Sequence, residues 1–120
     1  MSSHTCNAIV IACIDFRFQK YIDNWIKKNL TGKKYDRVGW AGSTKDLTLV
    51  LKQIGISKRL HGIREVILIH HENCGAYGQK STPETHKQEL KKAKAKILAN
   101  DPDLKVDLYY LHLDGRFDRL

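Results

Sequence analysis

The sequence predicts a single α/β domain over residues 1–120, with a mainly parallel sheet of about four strands and helices on its faces. Near-continuous apolar runs, typical of strands buried on both faces, alternate with segments whose apolar residues recur at helical spacing. A chain of 120 residues has room for one hydrophobic core. Such alternation implies right-handed crossovers between strands that lie parallel in one sheet.

Four segments are predicted as strands. Segment 7–12 reads Asn-Ala-Ile-Val-Ile-Ala and segment 65–70 reads Glu-Val-Ile-Leu-Ile-His, so both favour burial on two faces. Segments 35–40 and 105–112 are the other two candidates, and a turn is expected at 114–115.

The first predicted helix ends before Gly32, after two lysines in its last turn. Its apolar stripe consists of Phe18, Tyr21, Ile22, Trp25, Ile26 and Leu30.

Two further helices are predicted before the third and fourth strands. The second carries Leu47, Val50, Leu51 and Ile54, and Gly55 interrupts or ends it. Ser43 or Thr44 is the expected cap of this helix, with Asp46 in its first turn. The third helix begins within 81–84, where a proline stands near the first helical position, and ends at Asp101-Pro102.

Composition excludes several classes of protein. The chain is 42% apolar and 28% charged, which suits a soluble globular protein rather than a disordered one. No apolar run approaches the roughly 18 residues that a membrane-spanning helix needs. The N-terminus lacks the pattern of a secretory signal, and an odd count of three cysteines argues against a disulfide framework. We therefore expect a cytoplasmic protein with free thiols and no membrane partner.

The net charge of +8 permits binding to nucleic acid, but its distribution favours another interpretation. Much of the excess lies in the segment 87–96, which is interpreted as the solvated face of the third helix. A nucleic-acid-binding domain is therefore kept only as an alternative hypothesis, for which the expected sign is salt-dependent binding.

Reactive side chains follow the first and third predicted strands. Cys13, Asp15 and Arg17 come directly after the first strand, and the segment 70–76 (His-His-Glu-Asn-Cys-Gly-Ala) ends the third. Ligands of open parallel sheets bind at the carboxyl ends of the strands, near the point where the strand order reverses. If the strand order is 2-1-3-4, the first and third strands are neighbours and these side chains meet at one edge.

Cys13, His71 and Cys74 are the candidate metal ligands. His71 and Cys74 are separated by two residues, a spacing that can hold one ion. Two thiolates and an imidazole form a borderline-soft set that suits Zn²⁺, and three protein ligands leave the fourth position open, as in catalytic zinc sites. The alternative is that a cysteine at the end of a buried strand serves only as a small apolar filler.

The remaining thiol and imidazoles are expected to have other roles. Cys6 is interpreted as a structural or ordinary thiol. His70 is the reserve ligand, although strand alternation directs it away from its neighbour. The other histidines are expected to be hydrogen-bonded or solvated: His4, His61, His86 and His112.

Several other chemistries are excluded by motif. The chain has no glycine-rich dinucleotide fingerprint, no phosphate-binding P-loop and no nucleophile elbow. It also lacks a paired C-x-x-C, which argues against a dithiol redox role.

The two reactive segments together resemble the signature of the β-class carbonic anhydrases. That family carries C-x-D-x-R after its first core strand and H-x-x-C-G after a later one. This chain has Cys13-Ile14-Asp15-Phe16-Arg17 and His71-Glu72-Asn73-Cys74-Gly75. Ala41-Gly42 resembles the small-residue turn that the family places after its second strand, although Gly39-Trp40 replaces the usual Arg-Asn before it.

The resemblance implies zinc held by Cys13, His71 and Cys74, and reversible hydration of CO₂ to bicarbonate by a zinc-bound hydroxide. It implies that Asp15 accepts a hydrogen bond from that hydroxide and that Arg17 keeps Asp15 ionised and oriented. In some members the matching aspartate moves onto the zinc and closes the site.

The resemblance also implies a substrate pocket, here assigned to Ala41, Gly42 and Gly75. The first strand begins at about residue 7, so we expect a compact member without the N-terminal helical segments typical of the family. An exposed sheet edge and apolar helix stripes favour a homodimer or higher homo-oligomer. A non-catalytic zinc or assembly module, or a hydrolase of CS₂ or COS, is the alternative.

Overall fold

The computed structural model describes residues 4–120 and consists of one five-stranded sheet with helices on both faces. A short 3₁₀ turn at Gly78–Lys80 precedes the last helix. In chain order the elements are β1 (Ala8–Ala12), α1 (Gln19–Asn29), β2 (Tyr35–Gly39), α2 (Leu47–His61), β3 (Glu65–His71), α3 (Pro83–Asn100), β4 (Lys105–Leu111) and β5 (Phe117–Arg119).

The sheet order β2-β1-β3-β4-β5 confirms the predicted order of the first four strands. β1 pairs in parallel with both β2 and β3, and β3 pairs in parallel with β4. The chain order reverses between β1 and β3, which makes the carboxyl ends of these two strands the expected ligand-binding edge.

Alternate residues of each central strand enter two separate apolar layers. Ile9 and Ile11 of β1 pack with the buried faces of α2 and α3, whereas Val10 packs on the other side, against α1. The same alternation applies to β3, where Leu68 belongs to the first layer and Ile69 to the second. Each face is covered by helices, which explains why these strands appear in the sequence as apolar runs.

α2 differs in two details from its predicted form. Its N-cap is Asp46, whose carboxylate accepts the backbone N–H of Leu49 at 3.2 Å, rather than Ser43 or Thr44. The helix also continues through Gly55 and ends at His61, followed by Gly62 as its C-cap with φ +65°. A glycine inside a helix costs about 1 kcal/mol relative to alanine, and burial of the helix's apolar face offsets that cost.

β5 is the element that the sequence prediction omits. It spans three residues and pairs antiparallel with β4, opposite Tyr109, Tyr110 and Leu111. A run this short carries too little apolar alternation to be predicted as a strand. The turn predicted at 114–115 connects it to β4, with Gly115 at φ +93°.

The lysine-rich segment forms one side of α3, as expected. Lys87, Lys91, Lys92 and Lys96 are exposed, while Leu90, Ala93 and Ile97 are buried. Over residues 4–120, no helix combines the length and the apolar character that crossing a membrane would require.

Candidate metal centre

Cys13, His71 and Cys74 meet at the carboxyl ends of β1 and β3. Cys13 directly follows β1, His71 is the last residue of β3, and Cys74 lies three residues further on. Their potential ligand atoms all lie within 4.8 Å of one another, and all three residues are buried. The predicted convergence of these side chains at one edge of the sheet therefore occurs in the structure.

The imidazole of His71 is held so that its Nε2 lies near the thiols of Cys13 and Cys74. Its Nδ1–H donates to the backbone carbonyl of Glu72 at 2.7 Å, and its ring stacks on Phe18 with 4.1 Å between centroids. Nε2 is buried and has no hydrogen-bond partner among the described residues. In a metal-binding histidine, the ring nitrogen that does not bind the metal usually donates its N–H to a carbonyl or a carboxylate. His71 has this arrangement, so the residues fit an ion such as Zn²⁺.

The two thiols are coupled. A hydrogen bond from Cys74 lowers the pKa of Cys13, and the same contact, together with burial, raises the pKa of Cys74. The backbone N–H of Gly42 also approaches the Cys13 Sγ at 3.4 Å and favours its thiolate. Buried neighbouring thiols that readily share a negative charge suit coordination to a cation.

Asp15 and Arg17 form a close ion pair beside this cluster. Arg17 Nη2 lies 2.7 Å from Asp15 Oδ2, and Arg17 Nε lies 3.1 Å from Oδ1. The hydrogen bonds from Arg17 lower the pKa of Asp15 to about 2, so the carboxylate is ionised at neutral pH. Asp15 Oδ2 is 3.9 Å from His71 Nε2, which positions the carboxylate next to the candidate metal site.

Two residues that the sequence analysis did not single out hold this ion pair in place. Arg17 also donates to Asn73, to its backbone carbonyl at 2.9 Å and to its side-chain oxygen at 3.2 Å. Gln19 donates to the carbonyls of Cys13 and Asp15 at 3.0 and 2.9 Å. Asn73 adopts φ +59°, a left-handed conformation that asparagine tolerates better than most residues.

A buried polar chain lies on the opposite side of β3 from His71. His70 contacts Thr44 Oγ1 through Nε2 at 2.7 Å and His86 Nδ1 through Nδ1 at 2.8 Å. His86 Nε2 contacts Ser81 Oγ at 2.8 Å, and that oxygen accepts the backbone N–H of Cys74. His70 therefore points away from the three candidate ligands, as strand alternation predicted. The buried polar chain nevertheless contacts Cys74, because Ser81 Oγ accepts the backbone N–H of that residue.

His86 is predicted to make stability depend on pH. Burial lowers the pKa of His86 to about 4, whereas an unfolded histidine has a pKa near 6.5. Below about pH 6.5 the unfolded chain takes up a proton that the folded chain excludes until about pH 4. This single site should therefore lower the free energy of unfolding by about 2 kcal/mol from pH 7 to pH 5.

Urea unfolding of the wild type and of His86→Gln at both pH values measures this effect. The variant is expected to be less stable at pH 7 but to lose about 2 kcal/mol less than the wild type on acidification. Equal losses in the two proteins would contradict the assignment.

An open concavity of about 340 Å³ lies over the candidate centre. Of the three predicted pocket residues, Ala41 and Gly75 line it, and Gly42 instead contacts Cys13 from the adjoining turn. Gly42 has φ +85°, and a Cβ there would lie 2.9 Å from the Lys45 Cβ, so the turn requires glycine. At Gly75 an added Cβ meets nothing within 4 Å, so packing does not require glycine there.

The sequence and the fold are both similar to those of known proteins. The family described as "Putative carbonic anhydrase" matches residues 3–119 of the sequence. The chain belongs to this family. As a carbonic anhydrase family member it is also similar to two rickettsial proteins that are described as uncharacterized. It is 26% identical to the one from Rickettsia bellii and 28% identical to the one from Rickettsia conorii, over 95% of this chain and 81% and 72% of theirs.

Three solved structures with the same fold are described as carbonic anhydrases. The enzyme from Streptococcus mutans superimposes with a TM-score of 0.69 at 17% identity, covering 99% of this chain and 84% of that one. The enzyme from Glaciozyma antarctica gives 0.68 at 18% identity, covering 97% and 82%. A tetrameric β-carbonic anhydrase from Sordaria macrospora gives 0.59 at 15% identity, covering 98% and 81%. This family member therefore has the β-carbonic anhydrase fold.

Proposed function

We propose that this chain binds Zn²⁺ through Cys13, His71 and Cys74 and catalyses the reversible hydration of CO₂ to bicarbonate. The observation that carries the proposal is the buried, unpartnered Nε2 of His71, which faces two thiols beneath an ionised carboxylate. Zinc with three protein ligands lowers the pKa of water in its fourth position towards about 7, which supplies hydroxide at neutral pH.

The protein's own residues would orient the reacting groups. Arg17 keeps Asp15 ionised, so the carboxylate can only accept hydrogen bonds. A group that occupies the space beside His71 Nε2 must therefore donate a hydrogen bond to Asp15. Arg17 is the positioning residue, because its contacts with Asp15 and Asn73 join the segments after β1 and β3. Apolar lining from Ile14, Phe16 and Ala76 suits a small, uncharged substrate.

Stopped-flow measurement of CO₂ hydration on the zinc-loaded protein tests the proposal. We expect a rate above that of the buffer that depends linearly on protein concentration and disappears when the metal is removed. A zinc-loaded protein that is no faster than buffer would reject the enzymatic proposal. Assays with COS and CS₂ on the same preparation would then test the alternative substrates.

We further propose that a second copy of the chain covers the centre. Phe16 is 85% exposed and Ile14 is 60% exposed, and both flank Asp15 at the rim of the concavity. Two large apolar side chains beside a polar centre are typical of a surface that is buried on association. A cytoplasmic homo-oligomer with this site at its subunit interface is the proposed form.

Replacing Phe16 with Ser is expected to shift the protein towards monomers. The substitution removes the most exposed of the large apolar side chains among the described residues, and with it much of the apolar area available for association. Size-exclusion chromatography with light scattering measures the mass. Leu60→Ser is the matched control, because Leu60 is 46% exposed on α2 and away from the concavity. A wild type that is already monomeric, or equal shifts in both variants, would contradict the proposal.

A further inference from the structure

A second group of potential metal ligands lies at the other edge of the sheet, where β1 and β2 begin. Cys6 precedes β1, Asp36 is the second residue of β2, and His61 is the last residue of α2. One potential ligand atom from each lies within 4.8 Å of the other two. At about 3.3 Å per strand residue, Cys6 is on the order of 20 Å from Cys13, so the two groups are independent.

Asp36 is the centre of this group. His61 Nδ1 lies 2.7 Å from Asp36 Oδ2, and Ser57 Oγ donates to the same oxygen at 2.5 Å. The backbone N–H of Cys6 donates to the carbonyl of His61 at 3.0 Å, which holds the N-terminal segment against the end of α2. The side chains of His61 and Asp36 are 26% and 29% exposed, so an ion in solution can reach them.

The donor types distinguish this group from an ordinary histidine–carboxylate pair. A thiol, an imidazole and a carboxylate are all ligands of Zn²⁺ in proteins. The imidazole of His4 packs edge-on against that of His61, with 4.9 Å between ring centroids. By contrast, His112 contacts Asp118 at 2.6 Å, and neither belongs to a metal-ligand group among the described residues.

We propose that Cys6, Asp36 and His61 bind a second divalent cation of the zinc class. On binding, Cys6 loses its thiol proton to solvent. A metal-binding imidazole is neutral, so binding through Nδ1 would place the single ring proton of His61 on Nε2. Ser57 continues to donate to Asp36 and keeps the carboxylate oriented.

Such an ion would have a structural role. It would join three segments that are distant in sequence, namely the residues before β1, the start of β2 and the end of α2. No step of CO₂ hydration involves it, and this inference is independent of the proposed function.

Titration of the metal-free full chain with Co²⁺ tests the inference, since a thiolate bonded to Co²⁺ gives a charge-transfer band in the near ultraviolet. We expect the wild type to take up two Co²⁺ per chain. The double variant Cys13→Ser/Cys74→Ser, which removes the first site, should take up one, with about one-third of the wild-type band because one of three thiolates remains. A natively folded double variant that binds no Co²⁺ and shows no band would overturn the inference, whatever the first site binds.

Single variants in the otherwise native chain give a second test that does not require the double variant to fold. Cys6→Ser is expected to reduce the Co²⁺ stoichiometry from two to one, and His61→Gln to weaken the second binding event at least tenfold. His112→Gln is the matched control and should leave both events unchanged. Retention of two unaltered binding events in Cys6→Ser would overturn the inference.

Discussion

Replacing Asp15 with Asn is expected to lower the rate of CO₂ hydration roughly 10- to 100-fold while the protein keeps its zinc. The carboxylate accepts hydrogen bonds only, whereas an amide of the same size presents an N–H that can point at the candidate centre. The amide also loses the ionic contact with Arg17, whose Nη2 lies 2.7 Å from Asp15 Oδ2. Stopped-flow kinetics and metal analysis on the same preparation measure both quantities.

The chain contains a matched control for this substitution. Asp114 and Arg116 have the same spacing as Asp15 and Arg17, and they likewise form a backbone contact of 2.9 Å and an ion pair. This second pair lies in the exposed turn between β4 and β5. Asp114→Asn should therefore leave the hydration rate unchanged. Equal effects of the two substitutions, or loss of zinc from Asp15→Asn, would refute the role given to Asp15.

Replacing Cys74 with Ser is expected to abolish measurable CO₂ hydration and to remove one equivalent of zinc. A serine hydroxyl stays protonated near neutral pH and is a poor substitute for a thiolate, so two protein ligands would remain in place of three. Metal analysis after dialysis against a weak chelator gives the zinc content, and stopped-flow kinetics gives the rate.

His71→Gln is expected to have the same effect on this site, since it removes the third ligand. His112→Gln replaces another histidine at the end of a strand and serves as the control, because His112 contacts Asp118 and lies outside the candidate centre. Circular dichroism distinguishes loss of the site from loss of the fold. A folded Cys74→Ser variant with full zinc and full activity would mean that the ligand set is wrong.

The sheet was largely predictable because its central strands are buried on both faces. The runs in β1 and β3 are apolar for this reason, and the alternation of strands with helices implies the parallel order. β5 was not predictable, since its three residues form a strand only through pairing with β4. The predicted cap of α2 was also wrong, because the helix begins at Leu47 and is capped by Asp46, while the Thr44 hydroxyl contacts His70 instead.

The sequence predicts those residues of the candidate centre that lie at or just after the ends of strands. Cys13, His71 and Cys74 meet as predicted because β1 and β3 are neighbours, while their role as ligands stays a prediction. Asn73 and Gln19 carry no chemical signature in the sequence, since their importance depends on which carbonyls and side chains approach them. The group around Asp36 was missed for a similar reason, because three segments contribute to it and only the fold brings them together.

The adjacency of His70 and His71 restricts how β3 can vary. One imidazole faces the thiols and Phe18, and the next one in the opposite direction faces Thr44 and His86. Because side chains alternate along a strand, inserting or deleting one residue within β3 would exchange these two rings and misplace both. Homologues that retain the candidate centre should therefore differ in length within the loops and helices, and not between Glu65 and His71.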